Sequence, residues 1–132
     1  MTAEAVIIEL HGNQGDPVRF TPAAAAEKGT LMYLSADPRT IAASTADGQF
    51  FVGVLAHEVV TGDTSATVYT HGIFDMTDSG AGITLGNYAK LNGANLIATA
   101  DEAGAQGVAQ EVGMVLETTG AGEVVAVWIN KP

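Results

Sequence analysis

The chain has 132 residues and no cysteine, and five Lys and Arg stand against fifteen Asp and Glu, giving a net charge of −10. This length predicts a single domain that can bury a core without covalent cross-links, and the lack of cysteine excludes disulfides and thiolate metal sites. The acidic balance disfavours direct nucleic-acid binding, because phosphates would be repelled. No apolar run approaches the ~18 residues of a membrane span, so we expect no membrane partner.

The composition is typical of an all-β protein. Sixteen glycines accompany only 6% aromatic residues, which predicts thin strands and tight turns rather than a thick helical core. Charged residues make up 15% of the chain and hydrophobic residues 47%. So few charges leave part of the surface apolar, and we expect some of that surface to contact a partner.

The N-terminal residues 1–20 are interpreted as a strand followed by a loop, which together form an arm. The apolar run AVIIEL (Ala5, Val6, Ile7, Ile8, Glu9 and Leu10) favours a strand, and the turn formers of residues 11–17 end it. Residues 21–132 are interpreted as a single β domain. Its first segment, 21–28, is compatible with one helical turn but is read as a loop.

The following strands are expected at 31–35, 40–44, 50–60 and 66–73. The segment 78–82 (DSGAG) then reads as a solvated loop that links two halves of the domain. A second hairpin, with strands 87–91 and 96–99, is predicted around Asn92-Gly93, a favoured tight-turn pair. Residues 101–110 read as a loop, and strands at 112–118 and 124–129 close the domain.

The same order of motifs occurs twice in the sequence. Gly29-Thr-Leu-Met-Tyr-Leu, Phe51-Val-Gly-Val-Leu and Gly62-Asp63 are echoed about 60 residues later by Gly86-Asn-Tyr-Ala-Lys-Leu, Glu111-Val-Gly-Met-Val and Gly122-Glu123. We therefore expect half-repeats at about 29–74 and 86–129. Neither is long enough to close a core alone, so the two should fold together as an internally pseudo-duplicated body.

No pattern in the chain indicates catalysis, and we expect neither an enzyme nor a cofactor. His11, His57 and His71 lack the spacing of a compact metal site, and Asp75 with Asp78 lacks the spacing of a calcium loop. None of the serines lies in a Gly-x-Ser-x-Gly elbow. Lys90 raises the alternative of a carrier domain that bears a modified lysine, but it lies within a predicted strand.

Trp128 belongs to a terminal strand that is apolar on both faces. Such a strand is either buried on both sides or half covered by another subunit. We favour burial in the core and keep the interface as the alternative, in which Trp128 would contact another subunit.

In the order of these motifs, from Gly29-Thr-Leu-Met-Tyr-Leu to the closing Gly-Glu-Val-Val-Ala-Val-Trp-Ile, the chain resembles the head decoration, or capsid cement, proteins of tailed viruses. The resemblance covers residues 20–130. It implies a compact β-tulip or barrel-like domain that forms a homotrimer on the outer capsid surface of a bacteriophage virion, after synthesis in the host cytoplasm.

The same resemblance implies that the major capsid protein is the partner. The trimer would bridge neighbouring capsomers and stabilise the shell. Residues 4–20 would be the matching N-terminal arm, and its run of residues 5–10 (AVIIEL) would bind the capsid by adding a strand to a shell protein. The alternative from another class is a carrier or small-ligand-binding β module of a larger enzyme system.

Overall fold

The computed structural model describes residues 4–9, 18–100 and 110–130. In these ranges the chain forms strands, turns and loops without an α-helix, so the predicted all-β fold is confirmed. The strands are β1 (Val6–Glu9), β2 (Val18–Pro22), β3 (Leu31–Ala36), β4 (Thr40–Ala43), β5 (Phe51–Leu55), β6 (Ala66–Tyr69), β7 (His71–Asp78), β8 (Tyr88–Leu91), β9 (Leu96–Thr99), β10 (Glu111–Val115) and β11 (Val124–Asn130).

The first half closes into a five-stranded barrel in the order β2-β4-β3-β5-β6, which we call the N-terminal barrel. Strand β2 closes the ring, because it pairs in parallel with β4 on one side and antiparallel with β6 on the other. Closure leaves no unpaired strand edge along the ring, which removes the usual route to edge-to-edge aggregation.

The strands of the second half follow the order β7-β11-β10-β8-β9. Because β7 also pairs in parallel with β9, these five strands form a ring as well. We call this the C-terminal barrel. Strand β1 adds to it from outside, antiparallel to the first part of β7.

The two barrels have the same pairing scheme, which confirms the pseudo-duplication. Strand β2 pairs in parallel with β4 and antiparallel with β6, and β7 likewise pairs in parallel with β9 and antiparallel with β11. The antiparallel pairs β3–β4, β3–β5 and β5–β6 correspond to β8–β9, β10–β8 and β10–β11. Turn hydrogen bonds repeat as well: Gly29 N–H donates to the Leu55 carbonyl at 3.0 Å, and Gly86 N–H donates to the Val115 carbonyl at 2.9 Å.

The repeated Val-Gly pair has a steric cause. A Cβ on Gly113 would lie 2.2 Å from the backbone oxygen of Trp128, and a Cβ on Gly53 would lie 2.5 Å from that of Tyr69. Real Cβ atoms do not approach backbone so closely, so only glycine lets the two strands cross at this point in either barrel.

Several element boundaries differ from the sequence predictions. The predicted strand 50–60 ends at Leu55, and the predicted strand 66–73 is divided at Thr70, where the chain passes from one barrel to the other. Strand β2 was missed within the expected arm and loop. The units that share a pairing scheme are therefore 18–69 and 71–130, and each begins with the strand (β2 or β7) that closes its ring.

The barrels share a hydrophobic core. Leu31, Phe51 and Val54 of the N-terminal barrel belong to one buried cluster with side chains of the C-terminal barrel, such as Phe74 and Val127. A smaller cluster around Met32, Ile41 and Leu55 fills the N-terminal barrel itself. This continuity explains how two short β units fold together, since each would otherwise expose an apolar side.

Candidate interaction surface

Strand β11 alternates between buried and exposed side chains. Val125, Val127 and Ile129 are fully buried, whereas Val124 is 56% exposed and Trp128 is 40% exposed. The favoured interpretation of Trp128 as a core residue is therefore wrong. The core lies on only one side of this strand, and an apolar residue at every position does not show that both faces are covered.

Cross-strand partners extend Trp128 into an apolar row on the outside of the C-terminal barrel. Trp128 lies opposite Ile73 on β7 and Met114 on β10, and Met114 lies opposite Tyr88 on β8. Residues directly opposite one another share a face of the sheet. Tyr88 is 48% exposed, and Ile73 and Met114 are partly exposed. We call these four residues the Trp128 row. The sequence pattern singled out Trp128 but missed its partners, which only the strand register identifies.

The expected capsid-binding arm begins as part of the protein's own sheet. Ala5 is buried, and its N–H donates a 2.8 Å hydrogen bond to the Gly29 carbonyl. Val6 and Ile7 lie opposite Asp75 and Phe74 in the β1–β7 pairing, and Glu9 follows after an irregularity in the register. Ile8 also lies in β1, whereas Leu10 is outside the described residues. Val6 is 48% exposed, and β1 is the outermost strand of its sheet. Capsid binding by this segment remains a prediction.

His57 and His71 each contact a different threonine. His57 Nε2 accepts the Thr67 N–H at 3.2 Å, and His57 Nδ1 lies 3.0 Å from the Glu58 carbonyl, which places the proton on Nδ1. His71 Nδ1 contacts Thr70 Oγ1 at 2.8 Å. In the described ranges no three His, Asp or Glu side chains come together as a metal site, and His11 lies outside those ranges.

Asp78 is a structural carboxylate, so the expected solvated linker is wrong at this residue. It is 1% exposed, and its Oδ2 accepts the N–H groups of Gly80 (3.1 Å), Gly82 (2.8 Å) and Gly122 (3.0 Å). The carboxylate thus joins the loop after β7 to the turn before β11. The glycines of DSGAG and GAG are the signal for this, because they leave backbone N–H groups open to a buried acceptor.

Lys90 lies inside β8 and points at the other barrel. Its Nζ is 2.7 Å from Asp47 Oδ1, and its side chain is only 15% exposed. A carrier lysine must reach a modifying enzyme from an exposed turn, so this placement does not favour the carrier alternative. The contact instead adds a polar link between the two barrels.

The protein is therefore a duplicated, barrel-like β domain that carries the Trp128 row on its outer surface. No family model matches the chain, and no curated protein matches it in sequence. A solved structure, the head fiber gp8.5 N base of bacteriophage phi29, is similar over 87% of this chain and 93% of that chain, with a TM-score of 0.56 and 17% identity. The similarity shows a shared fold. Within the described residues no helix is both long enough and apolar enough to cross a membrane.

Proposed function

We propose that this protein is a structural component of a bacteriophage virion that attaches to the outer surface of the capsid. The observation that carries the proposal is the fold similarity to a phage head fiber base, which extends over nearly the whole of both chains. The order of motifs in the sequence independently resembles capsid decoration proteins. Both likenesses support a structural role in the phage head.

We further propose that the protein is a homotrimer and that the Trp128 row lies at its subunit interface. An exposed tryptophan in a row with Ile73, Met114 and Tyr88 is the kind of apolar and aromatic surface that protein interfaces use. A trimer would also bury apolar area that a chain with 15% charged residues leaves poorly covered.

The proposed mechanism is multivalent bridging of neighbouring capsomers by one trimer. A shell under internal DNA pressure fails when neighbouring capsomers separate. If one trimer contacts several shell subunits, each separation must break several contacts at once. Each contact can then be weak. The acidic surface suits an exterior position, because packaged DNA would repel it.

The test is binding to empty shells assembled from the major capsid protein encoded in the same genome. Purified protein is mixed with these shells and separated on a density gradient, and the shells are then heated with and without it. The proposal expects co-sedimentation at a fixed number of copies per shell and a higher disruption temperature. Free protein at the top of the gradient, with unchanged shell stability, would refute it.

A further inference from the structure

The two arginines of the chain, Arg19 and Arg39, line the same open groove on the N-terminal barrel. The groove has a volume of about 660 Å³. Its remaining walls are the ring of Phe20, the proline Pro38 and the hydroxyl-bearing residues Thr21, Thr64, Ser65 and Thr67. In a chain with five cationic residues and a net charge of −10, this pairing concentrates positive charge in one place.

Neither arginine is neutralised by an acid among the residues that the structure describes. The Arg39 guanidinium donates one hydrogen bond to the Arg19 carbonyl and lies over the Phe20 ring, 5.5 Å from its centre. Both arginines are exposed. A guanidinium has five N–H donors in a planar fork, and the contact with the Arg19 carbonyl uses one of the donors of this pair.

The matching positions of the C-terminal barrel carry no cation. By the matched strand pairing, the positions equivalent to Arg19 and Arg39 in the C-terminal barrel are Asp75 and Asn95. Arg39 also has a left-handed backbone, with φ of 51°, as Asn95 does with φ of 60°. Asparagine tolerates that conformation better than arginine does, so the backbone alone would favour Asn at position 39.

We infer that the groove between Arg19 and Arg39 binds carboxylate side chains of an acidic protein segment. Guanidinium groups recognise carboxylates through paired hydrogen bonds, and the hydroxyls of Thr64, Ser65 and Thr67 add donors at the same wall. Two cations can match two adjacent carboxylates, whereas a chain of net charge −10 would repel the longer phosphate run of a nucleic acid. This inference is independent of the proposed attachment to a capsid.

The experiment uses the capped peptide acetyl-Gly-Glu-Glu-Gly-amide and the full chain labelled with ¹⁵N. Titration is followed by NMR through the arginine Nε–H signals, at low and physiological salt. We expect saturable shifts of both arginines and weaker binding as salt increases. Arg19→Gln and Arg39→Asn should each weaken binding by about tenfold, the loss of one charge-assisted pair. Lys28→Gln, which removes an exposed cation elsewhere, should leave binding within twofold.

Arg39→Asn separates a binding role from a structural one. If Arg39 serves recognition, this variant keeps or raises the melting temperature, because Asn fits the left-handed backbone, while peptide binding falls. A lower melting temperature with unchanged peptide binding would overturn the inference. So would equal binding by the Arg19→Gln/Arg39→Asn double variant, or tighter binding of a hexathymidylate than of the peptide.

Discussion

The side-chain amide of Asn95 donates a 3.2 Å hydrogen bond to the carbonyl oxygen of Gly29, a residue of the other barrel. Its Oδ1 accepts the Leu31 N–H at 2.5 Å, and its own N–H donates to Ser44 Oγ at 3.0 Å. Asn95 is 6% exposed, so these bonds lie inside the contact between the two barrels. One asparagine therefore links the two halves of the duplicated fold through three hydrogen bonds.

Replacing Asn95 should loosen that contact. Asn95→Ala leaves the Leu31 N–H buried without this partner, while the Gly29 carbonyl keeps the Ala5 N–H, and we expect a cost of about 1–3 kcal/mol in the free energy of unfolding. Asn95→Gly removes the same side-chain hydrogen bonds, but glycine tolerates a φ of 60°. The difference between the two variants therefore separates the loss of hydrogen bonds from the backbone strain of alanine. Urea denaturation measures both. A loss below about 1 kcal/mol in both variants would show that the amide does not hold the barrels together.

Asp78 should be the most sensitive acidic residue of strand β7. Asp78→Ala removes the acceptor of three backbone N–H groups, and we expect a loss of about 2–4 kcal/mol. Asp75→Ala is the matched control, because Asp75 lies on the outward face of the same strand and should change stability by less than about 0.5 kcal/mol. Thermal unfolding of the pair checks this. Equal effects would contradict the assigned role of Asp78.

Gly113 should not tolerate a side chain. Gly113→Ala places a Cβ against the backbone of Trp128, so β10 and β11 must move apart and the free energy of unfolding should fall by about 1–3 kcal/mol. The repeat predicts the same sign for Gly53→Ala, whose Cβ meets the backbone of Tyr69. Chemical denaturation of both variants measures the effect, and a neutral Gly113→Ala would contradict the close approach of these strands.

Lys90 should react slowly with amine reagents. Its side chain is 15% exposed and is paired with Asp47, whereas Lys28 is exposed. Brief acetylation followed by peptide mass spectrometry should therefore modify Lys28 well before Lys90. Mass spectrometry of the intact protein from its native source provides the second readout. A covalent adduct on Lys90 there would support the carrier alternative instead.

Trp128 should control the oligomeric state. The wild-type chain is expected to have a solution mass of about 40 kDa by light scattering, three times the 13.5 kDa of one chain. Trp128→Glu places a charge in the proposed interface and should yield monomers. Phe50→Glu changes a side chain that is 50% exposed on the other barrel and serves as the control. A wild-type monomer, or trimers of Trp128→Glu, would remove this interface.

The all-β class and the duplication could be predicted from the sequence because both depend on local patterns of glycine turns and β-favouring runs. Gly53 and Gly113 recur in the same Val-Gly context because each permits a close approach of two strands, and the repeated dipeptide can be recognised in the sequence alone. The division at Thr70 could not be predicted, since β6 and β7 form one continuous β-favouring run whose strands join different rings. The burial of Asp78 and the exposure of Trp128 depend on which side of a strand the core lies, which non-local pairing decides.

The proposed attachment to a capsid is tested most directly by electron cryomicroscopy of same-genome shells incubated with the purified chain. The account predicts additional three-lobed density on the outer surface, at positions where neighbouring capsomers meet, with the Trp128 rows facing one another at its centre. Shells that show no added density at saturating protein concentration, or density only on the inner surface, would contradict it.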